Sequence, residues 1–456
     1  MQTNFSPAQL ADPDIAVADK ILRSCVHCGL CTATCPTFVT VGDEDDSPRG
    51  RIYLIKDMLE TGAAASAPVA FHLDRCLSCL ACMTTCPSGV DYMHLIDYAR
   101  VRVEATYARP AHDKAVRALL AAILPYPARL RAVLRGAGLG RLVRRLTHDR
   151  GSFGQRLHAM LDLAPAVRIP RGSTERPGVF PALGVRRARV ALLAGCAQQV
   201  LDPGIHDATI GLLTRMGVEV VVAKGAGCCG ALTHHLGKHA AALGFARANV
   251  AAWTREIGAD GLDAVVTDTS GCGTTLKDYG FLLRDTPEAA DAARIAALAV
   301  DISELLVRLE YRPSRAPVPQ IVIAYHAACS LQHGQRVTGA PKTLLRRAGF
   351  TVAEPRDSHL CCGSAGTYNI LQPEIAGQLR ARKLATIAPL RPHAIVGGNI
   401  GCLTQLAGAG IPTIHTVALL DWMAGGPRPA KLPSDAEIAA SQPIPDLGLA
   451  PENAQS

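Results

Sequence analysis

Aromatic residues are scarce in this sequence, where they make up 4% of 456 residues. Sites for single-stranded nucleic acid interleave aromatic with basic side chains. The formal charge of +8 therefore does not indicate nucleic-acid binding. Also lacking is a run of about 18 uncharged apolar residues, which a membrane-spanning helix requires. Asn4, Asp12 and Asp14 stand where a secretory signal needs basic and then apolar residues. We therefore expect a cytoplasmic protein that does not cross a bilayer by itself.

The cysteines are few for the length of the chain, yet none stands outside a repeated pattern. A disulfide scaffold has a denser and less grouped set, so we expect metal ligation in a reducing compartment. The first pattern is a Cys-x2-Cys-x2-Cys run followed by Cys-Pro. It occurs as Cys25, Cys28, Cys31, Cys35-Pro36 and as Cys76, Cys79, Cys82, Cys86-Pro87.

This first pattern is typical of two 4Fe-4S clusters. The short loop presents three thiolates around one face of a cubane, and in two-cluster ferredoxin-type domains the cysteine before proline ligates the other cluster. Two zinc sites are the alternative, but these usually use two Cys-x2-Cys pairs. The crossed arrangement predicts one cluster on Cys25, Cys28, Cys31 and Cys86, and the other on Cys76, Cys79, Cys82 and Cys35.

The second pattern is a lone cysteine, then Cys-Cys-Gly, then a fourth cysteine. Its two copies keep the same interval between the lone cysteine and the pair, which indicates an internal duplication. A glycine after the pair permits a tight turn, so each half can offer four thiolates to one metal or cluster. Buried, inert thiols are the alternative. The two predicted sets are Cys196, Cys228, Cys229, Cys272 and Cys329, Cys361, Cys362, Cys402.

Several histidines lie close to the second pattern. His326, three residues before Cys329, is a candidate donor to a bound centre, but we interpret it as a structural group. His234, His235 and His239 follow the first Cys-Cys-Gly on a predicted helix. They are weaker ligand candidates than the cysteines.

Short β-branched runs alternate with longer helical stretches from residue 188 onward, which predicts α/β units with largely parallel sheets. The fold class we predict is α+β, with an α-helical ferredoxin-like N-terminal domain carrying two 4Fe-4S loops, followed by two duplicated α/β cysteine-rich domains. The predicted segments are a two-cluster domain at 14–110, a basic helical segment at 111–163, a linker at 164–187, cysteine-rich domains at 188–312 and 320–425, and a disordered tail at 427–456.

The segment 111–163 combines apolar residues with many arginines and few acids. An amphipathic helix with a basic face can lie in the headgroup region of a membrane. A helical hairpin packed on the ferredoxin-like domain, with its arginines in solvent, is the alternative.

The stretches CVHCGLCTATCPTF, SPRGRIYLIKDMLE and HLDRCLSCLACMTTCPSGV resemble the iron-sulfur subunits of bacterial glycolate oxidases. The Cys-Cys-Gly halves are similar to a wider cysteine-rich family that includes heterodisulfide reductase, anaerobic glycerol-3-phosphate dehydrogenase and lactate-utilisation subunits. In heterodisulfide-type relatives the last cysteine belongs to a Cys-x2-Cys pair. Thr275 and Gln405 occupy the second position here, which argues against a five-thiolate cluster.

The resemblance implies an electron-transfer subunit with two 4Fe-4S clusters and a possible third centre in the Cys-Cys-Gly halves. FAD-containing partner subunits would oxidise glycolate to glyoxylate, and electrons would pass to a quinone or similar acceptor at the inner face of the cell membrane. The absence of a flavin fingerprint agrees with oxidation of the substrate on the partner subunits. Related lactate or glycerol-3-phosphate dehydrogenases, a self-contained thiol or disulfide reductase, and a scaffold with vestigial repeats are the alternatives.

Overall fold

The structure, a computed structural model, describes residues 1–144, 152–164, 170–318 and 320–440. The N-terminal part is built from helices around an apolar core that includes Leu22, Ile55, Leu73 and Ile96. Ser47 caps the helix between the two cysteine loops by accepting a hydrogen bond from the backbone N–H of Gly50 at 3.0 Å. Its helices are Pro7–Leu10, Pro13–Ser24, Pro36–Val41, Pro48–Thr61, Ala67–Asp74, Ala81–Thr85 and Tyr92–Thr106, with a 3-10 turn at Glu44–Asp46.

Three helices follow the N-terminal part: Ala111–Ile123, Pro127–Arg144 and Ser152–Leu163. Val116 and Leu120 pack against Leu236 and Ile370, so the first of them rests on both later units. A 3-10 turn at Ser173–Glu175 precedes the sheets.

The first sheet has the strand order β1-β3-β2-β4-β5, and only β1 runs antiparallel to its neighbour. Its strands are β1 Gly178–Phe180, β2 Ala188–Leu192, β3 Val218–Val222, β4 Ala264–Thr267 and β5 Ala299–Asp301. Its helices are Gln198–Leu201, Gly204–Arg215, Ala231–His235, His239–Asp260, Ser270–Lys277, Tyr279–Leu282, Ala289–Leu298 and Ile302–Arg308.

The second sheet has the order β7-β6-β8-β9, all parallel, which repeats the order β3-β2-β4-β5 of the first. The predicted α+β fold with two duplicated α/β units is confirmed. The strands are β6 Val322–Tyr325, β7 Thr351–Ala353, β8 Ala394–Gly397 and β9 Thr413–His415. The helical elements are Ser330–Gly334 (a π turn), Ala340–Arg347, Tyr368–Leu371, Pro373–Ile387, Ala388–Leu390 (3-10), Ile400–Leu406, Thr416–Met423 and Asp435–Ala440.

Three local expectations need correction. From their Ala, Ser and Pro content we expect residues 61–70 to form a connection before the second cysteine loop, but the helix Ala67–Asp74, which Ser66 caps, begins within them. The linker at 164–187 contains β1, which pairs with β3. The prediction of a disordered tail is wrong for residues 427–440, because Leu432 and Ile438 are buried in the core that the two sheets share. Residues 441–456 lie outside the described part of the chain.

The helical N-terminal part docks on the first cysteine-rich unit through buried polar contacts. The Asp97 carboxylate lies 3.3 Å from His234 Nε2. Gly237, with φ of +78°, approaches the backbone oxygen of Arg100 so closely that a Cβ there would lie 2.5 Å from that oxygen. Glycine is therefore required at this contact.

His94 links the same two units. Its Nε2 lies 2.8 Å from Asp278 Oδ1, and its ring stacks on Phe281. Burial opposes protonation, but hydrogen bonds to Asp278 and Asp91 prevail and raise the pKa of His94 to about 9. A raised pKa means that protonated His94 stabilises the folded chain fully below its unfolded value of about 6.5, and that this stabilisation is lost as pH rises through about 9.

We expect His94→Gln to reduce the free energy of unfolding by about 2 kcal/mol near pH 6 and to have a much smaller effect above about pH 9. Urea unfolding of both proteins across this range measures the difference. His112→Gln, at an exposed histidine outside this contact, is the matched control and should leave the free energy of unfolding nearly unchanged. A His94→Gln effect of constant size at every pH would contradict the assignment.

Among the described residues, no helix combines the length and apolar character needed to cross a membrane.

Candidate functional site

The first cysteine loop and the last cysteine of the second loop meet at one small cavity. Cys25, Cys28 and Cys31 line it together with Cys86, and Cys82 of the second loop lines it as well. Cys28 is exposed, whereas Cys25 is buried. The structure thus brings together the four residues that the crossed arrangement assigns to one cluster.

Both loops have the same unusual backbone shape. The two residues that flank the middle cysteine have positive φ in each loop: His27 (56°) and Gly29 (81°) in the first, Ser78 (50°) and Leu80 (63°) in the second. Left-handed backbone is unfavourable for a residue with a Cβ and persists where function demands it. Such a curl suits a loop that presents three thiolates to one cluster.

The thiols of the second loop, Cys76, Cys79 and Cys82, are each 8% exposed. Burial, together with the nearby charges of Cys35 and the other thiols of this loop, raises the pKa of Cys82 well above its usual value. The Sγ of Cys35 is 3.9 Å from the guanidinium of Arg51. In addition to burial, Cys35 raises the pKa of Cys79 and Cys82 in the second loop as well as that of Cys31 in its own.

The donor set fits a cationic iron-sulfur core. Burial and the neighbouring thiols, Cys25 first, raise the pKa of Cys31 to about 11. Thiols this crowded cannot all ionise unless positive charge stands between them, and bound metal supplies that charge. The side chains of Cys25, Cys28, Cys31 and Cys86, and of Cys76, Cys79, Cys82 and Cys35, would hold the two clusters.

In the first cysteine-rich unit the four cysteines follow β2, β3 and β4 and meet at the carboxyl edge of the sheet. The sulfurs of Cys196 and Cys228 lie 3.6 Å apart. Hydrogen bonds from Cys228 and Cys272 lower the pKa of the Cys229 thiol, although its burial opposes this. Tyr279 donates a hydrogen bond to the Cys229 carbonyl at 2.8 Å, which fixes the turn.

The second cysteine-rich unit repeats this arrangement and adds a histidine. The sulfurs of Cys329 and Cys361 lie 3.7 Å apart. Cys362 and Cys402 lie beside His326, and all three are buried. Hydrogen bonding with Cys362, and then the neighbouring charge of His326, lower the pKa of Cys402 to about 5 against the effect of burial.

His234 and His235 both lie beside Asp97 of the helical part. The sequence reasoning missed another histidine: His206 Nδ1 lies 2.9 Å from Asp268 Oδ2, fully buried, and its Nε2 lies 2.9 Å from the carbonyl oxygen of Ala194, two residues before Cys196. In the sequence, this pair could have been recognised from Asp268, which follows a strand and lies in the loop before Cys272.

A cavity of about 360 Å³ lies where the helical part and the two cysteine-rich units meet. Its apolar wall comes mainly from the helices after residue 110. Its other walls carry cysteines of both halves and the residues Leu77, Ser78 and Leu80 of the second loop. The lining includes Leu119, Leu120, Ile123, Leu130, Leu134, Met160, Cys196, Cys272, Cys329 and Cys402.

Family models agree with this organisation. A 4Fe-4S dicluster domain matches residues 21–90, and a cysteine-rich domain matches residues 190–277 and 323–407. The fold and cysteine set thus define an iron-sulfur protein with one dicluster domain and two cysteine-rich units.

The chain is 41% identical to the glycolate oxidase iron-sulfur subunit of Escherichia coli over 92% of this chain and 98% of that protein. It is 32% identical to a probable glycolate oxidase iron-sulfur subunit of Bacillus subtilis, over 84% of this chain and 88% of that protein. It therefore belongs to the family of glycolate oxidase iron-sulfur subunits, and it has an electron-transfer role based on iron-sulfur clusters.

More distant matches are shorter or show the fold alone. Lactate utilization protein A of Bacillus licheniformis is 26% identical over 48% of this chain and 91% of that protein. A hypothetical protein from Helicobacter pylori has a similar fold, with a TM-score of 0.50 at 10% identity over 92% of this chain and 74% of that chain.

Proposed function

We propose that this chain carries electrons from FAD-containing partner subunits, which oxidise glycolate to glyoxylate, to a quinone-type acceptor. The observation that carries this proposal is the series of sites across the molecule: the exposed first loop, the buried second loop and the apolar cavity against which the second loop lies. Oxidation of glycolate releases two electrons and two protons at the partner, and the electrons enter this chain.

Electrons enter at the first loop, because it reaches the surface. Cys28 is exposed, and Val26 and Leu30 beside it are 67% and 56% exposed. Exposed apolar residues around a redox centre suit a partner that docks there and excludes water. In the crossed arrangement, which forms part of this proposal, the second centre lies next to the first, because Cys31 and Cys35 belong to one loop and would ligate different clusters.

Electrons leave at the cavity. Leu77, Ser78 and Leu80, the residues next to the second loop's cysteines, line the cavity. The cavity is mostly apolar, has a few polar groups such as Gln198 and Asn399, and is large enough for the ring of a quinone. An apolar acceptor that takes two electrons and two protons fits this lining better than a charged thiol substrate does.

Reconstitution tests the function directly. In the complex purified with its flavoprotein subunits, glycolate should bleach the iron-sulfur absorption of this chain, and lactate should do so more weakly. The isolated chain should show no bleaching with glycolate. Turnover of a disulfide substrate by the isolated chain would instead support a self-contained reductase.

Filling the cavity should block only the transfer of electrons from this chain to the quinone-type acceptor. We expect Leu134→Trp to lower the rate of quinone reduction by the complex about tenfold, because overpacking an apolar site costs about 1–3 kcal/mol. Reduction of a small soluble dye at the first loop should not change. Val307→Trp, at an exposed apolar residue, is the matched control. Equal loss of both activities in Leu134→Trp would contradict an acceptor site in this cavity.

The segment 111–163 brings the complex to the inner face of the cell membrane, where a lipid-dissolved quinone reaches the cavity. Leu119 and Val133, each 50% exposed, lie at the cavity wall. The alternative, in which the segment packs on the ferredoxin-like domain, applies to the helix Ala111–Ile123. Its Arg117 is buried and pairs with Asp74 at 2.6 Å. The side chains of Arg141, Arg144 and Arg145 lie outside the described part of the chain.

We expect replacement of Arg141, Arg144 and Arg145 by Glu to release the complex from membranes at moderate salt, since each basic residue near anionic lipid contributes about 1 kcal/mol. Iron content should stay unchanged. Sedimentation with vesicles that contain anionic lipid measures the binding. The same replacement at the exposed residues Arg176, Arg294 and Arg312 is the matched control. Membrane binding that persists after the first replacement would contradict a membrane-binding role for the segment 111–163.

A further inference from the structure

Two pairs of histidine and aspartate side chains lie at one wall of the apolar cavity, where the helical part meets the first cysteine-rich unit. His94 Nε2 lies 2.8 Å from Asp278 Oδ1, and His234 Nε2 lies 3.3 Å from Asp97 Oδ2. In the described part of the chain, the titratable side chains other than cysteine that line the cavity are Asp97, His234, His235 and Asp278. Charge at the cavity is therefore concentrated at this wall.

Stability alone is a weak reason for charged pairs at this position. Burial of an ion pair costs desolvation, which the attraction within the pair often only offsets, and apolar residues of similar size are frequently as stable. The side chains of Asp97 and His94 are 8% and 14% exposed. Titratable groups that are buried at the wall of a ligand-sized cavity are typical of functional sites.

The aspartates favour the protonated form of both histidines. Burial opposes the charged ring, but hydrogen bonds to Asp278 and Asp91 raise the pKa of His94 to about 9. Against the same effect of burial, the charge of Asp97 raises the pKa of His234. Burial raises the pKa of Asp278, although the hydrogen bond from His94 opposes this. The Asp278 carboxyl group can therefore accept a proton from His94 and pass it on.

One further carboxylate connects this wall with solvent. Asp91 Oδ2 lies 2.6 Å from His94 Nδ1, and the Asp91 side chain is 40% exposed. The Asp97 carboxylate also lies 3.7 Å from Arg100. The charged or titratable groups that surround the two pairs are Asp91, Arg100, His235, His239 and, on the Phe281 ring that His94 stacks against, Arg284.

We propose that the pairs His94–Asp278 and His234–Asp97 are the proton donors for the acceptor that is reduced in the cavity. This inference rests on the proposed function, because it requires an acceptor whose oxygens take up protons. Reduction of one quinone to a quinol consumes two electrons and two protons and forms two O–H bonds. The electrons come from glycolate through the clusters. Asp278 relays a proton from His94, His234 gives up its own, and both pairs regain protons from solvent before the next turnover.

Asp278→Asn tests the relay, because asparagine keeps the shape of aspartate but cannot pass on a proton. In the complex assembled with its flavoprotein subunits, we expect kcat for reduction of a short-chain ubiquinone to fall about a hundredfold at about pH 8, with little change in KM. Between about pH 6 and 8 the remaining rate should fall about tenfold for each unit of pH, because protons must then come from solution. The wild-type rate should stay nearly constant over this range and fall above about pH 9, where His94 loses its proton.

Two controls separate proton delivery from electron transfer and from general damage. Ferricyanide takes up one electron and no proton, so its reduction by the Asp278→Asn complex should not change. Glu304→Gln is the matched substitution, because Glu304 pairs with Lys277 at 2.6 Å and is 25% exposed, against 21% for Asp278. Glu304 does not line the cavity, and we expect its replacement to leave both activities unchanged.

The pH profile decides between the outcomes. A quinone rate that Asp278→Asn lowers by the same factor at every pH would show a merely structural role and overturn the inference, and so would an unchanged rate. A wild-type complex that reduces ferricyanide but no quinone would overturn the proposed acceptor and this inference with it. If Asp278→Asn does not assemble, His234→Gln should show the pH-dependent loss, and a loss that does not depend on pH would overturn the inference.

Discussion

Cys35→Ser is expected to remove the cluster of the second loop, not the cluster of its own loop. The Cys35 side chain is buried, with its sulfur 3.2 Å from Thr37 Oγ1 and 3.9 Å from Arg51, and in addition to burial it raises the pKa of Cys79 and Cys82 in the second loop. A 4Fe-4S cluster that loses one thiolate is labile, so iron should fall from about eight to about four atoms per chain. More than about eight in the wild-type chain would indicate a further iron centre in the cysteine-rich units.

The pattern of lost signals identifies the cluster. The electron paramagnetic resonance spectrum of Cys35→Ser should match that of Cys79→Ser and differ from that of Cys28→Ser. Cys86→Ser is the matched counterpart, and its spectrum should match that of Cys28→Ser because Cys86 lines the first loop's cavity. If Cys35→Ser and Cys28→Ser lose the same signal, each loop ligates its own cluster and the crossed assignment is wrong.

Asp46→Ala is expected to destabilise the N-terminal domain by about 3–5 kcal/mol, because it leaves buried positive charge without its partner. The Asp46 side chain is fully buried and accepts from Arg51 at 3.1 Å and from Arg75 at 2.6 Å. His72 Nδ1 lies 3.1 Å from the same carboxylate. The backbone carbonyl of Asp46 also accepts from Thr37 at 2.8 Å, next to Cys35.

Thermal unfolding and iron content measure this effect, and we expect both to fall together. The stated range applies because Arg51 is 1% exposed and cannot turn to solvent. Asp45→Ala, at the neighbouring side chain that is 52% exposed, is the matched control and should change stability by less than about 0.5 kcal/mol. Equal effects of the two substitutions would show that burial of the Asp46–Arg51 ion pair does not determine the loss of stability.

Local features of the site could be predicted from the sequence. The curl of each Cys-x2-Cys-x2-Cys loop depends on backbone that is close in sequence, and the duplicated order of strands follows from two copies of one pattern. The helix Pro48–Thr61 carries its own start signal, because Ser47 caps it and Pro48 is its first residue. The resemblance to glycolate oxidase iron-sulfur subunits, carried by the two loops and the helix between them, is confirmed by relatives that cover most of the chain.

Contacts between distant segments could not be predicted in this way. The helix Ala67–Asp74 was missed because its Ala and Pro content is also typical of a connection. Leu432 and Ile438 are too few to indicate a buried segment until the core that accepts them is known. The ion pairs of His94 with Asp278 and of His234 with Asp97 likewise exist only because two units dock.

The sequence by itself determined the kind of chemistry, because cysteine spacing within a loop is a short-range property that limits which metal centres the loop can hold. The tertiary structure alone decided how these centres are arranged. It brings Cys79 of the second loop next to Cys361, places His326 against Cys362 and Cys402, and closes an apolar cavity between three units. These arrangements depend on the surfaces that the units bury against one another, and no spacing along the chain encodes such surfaces.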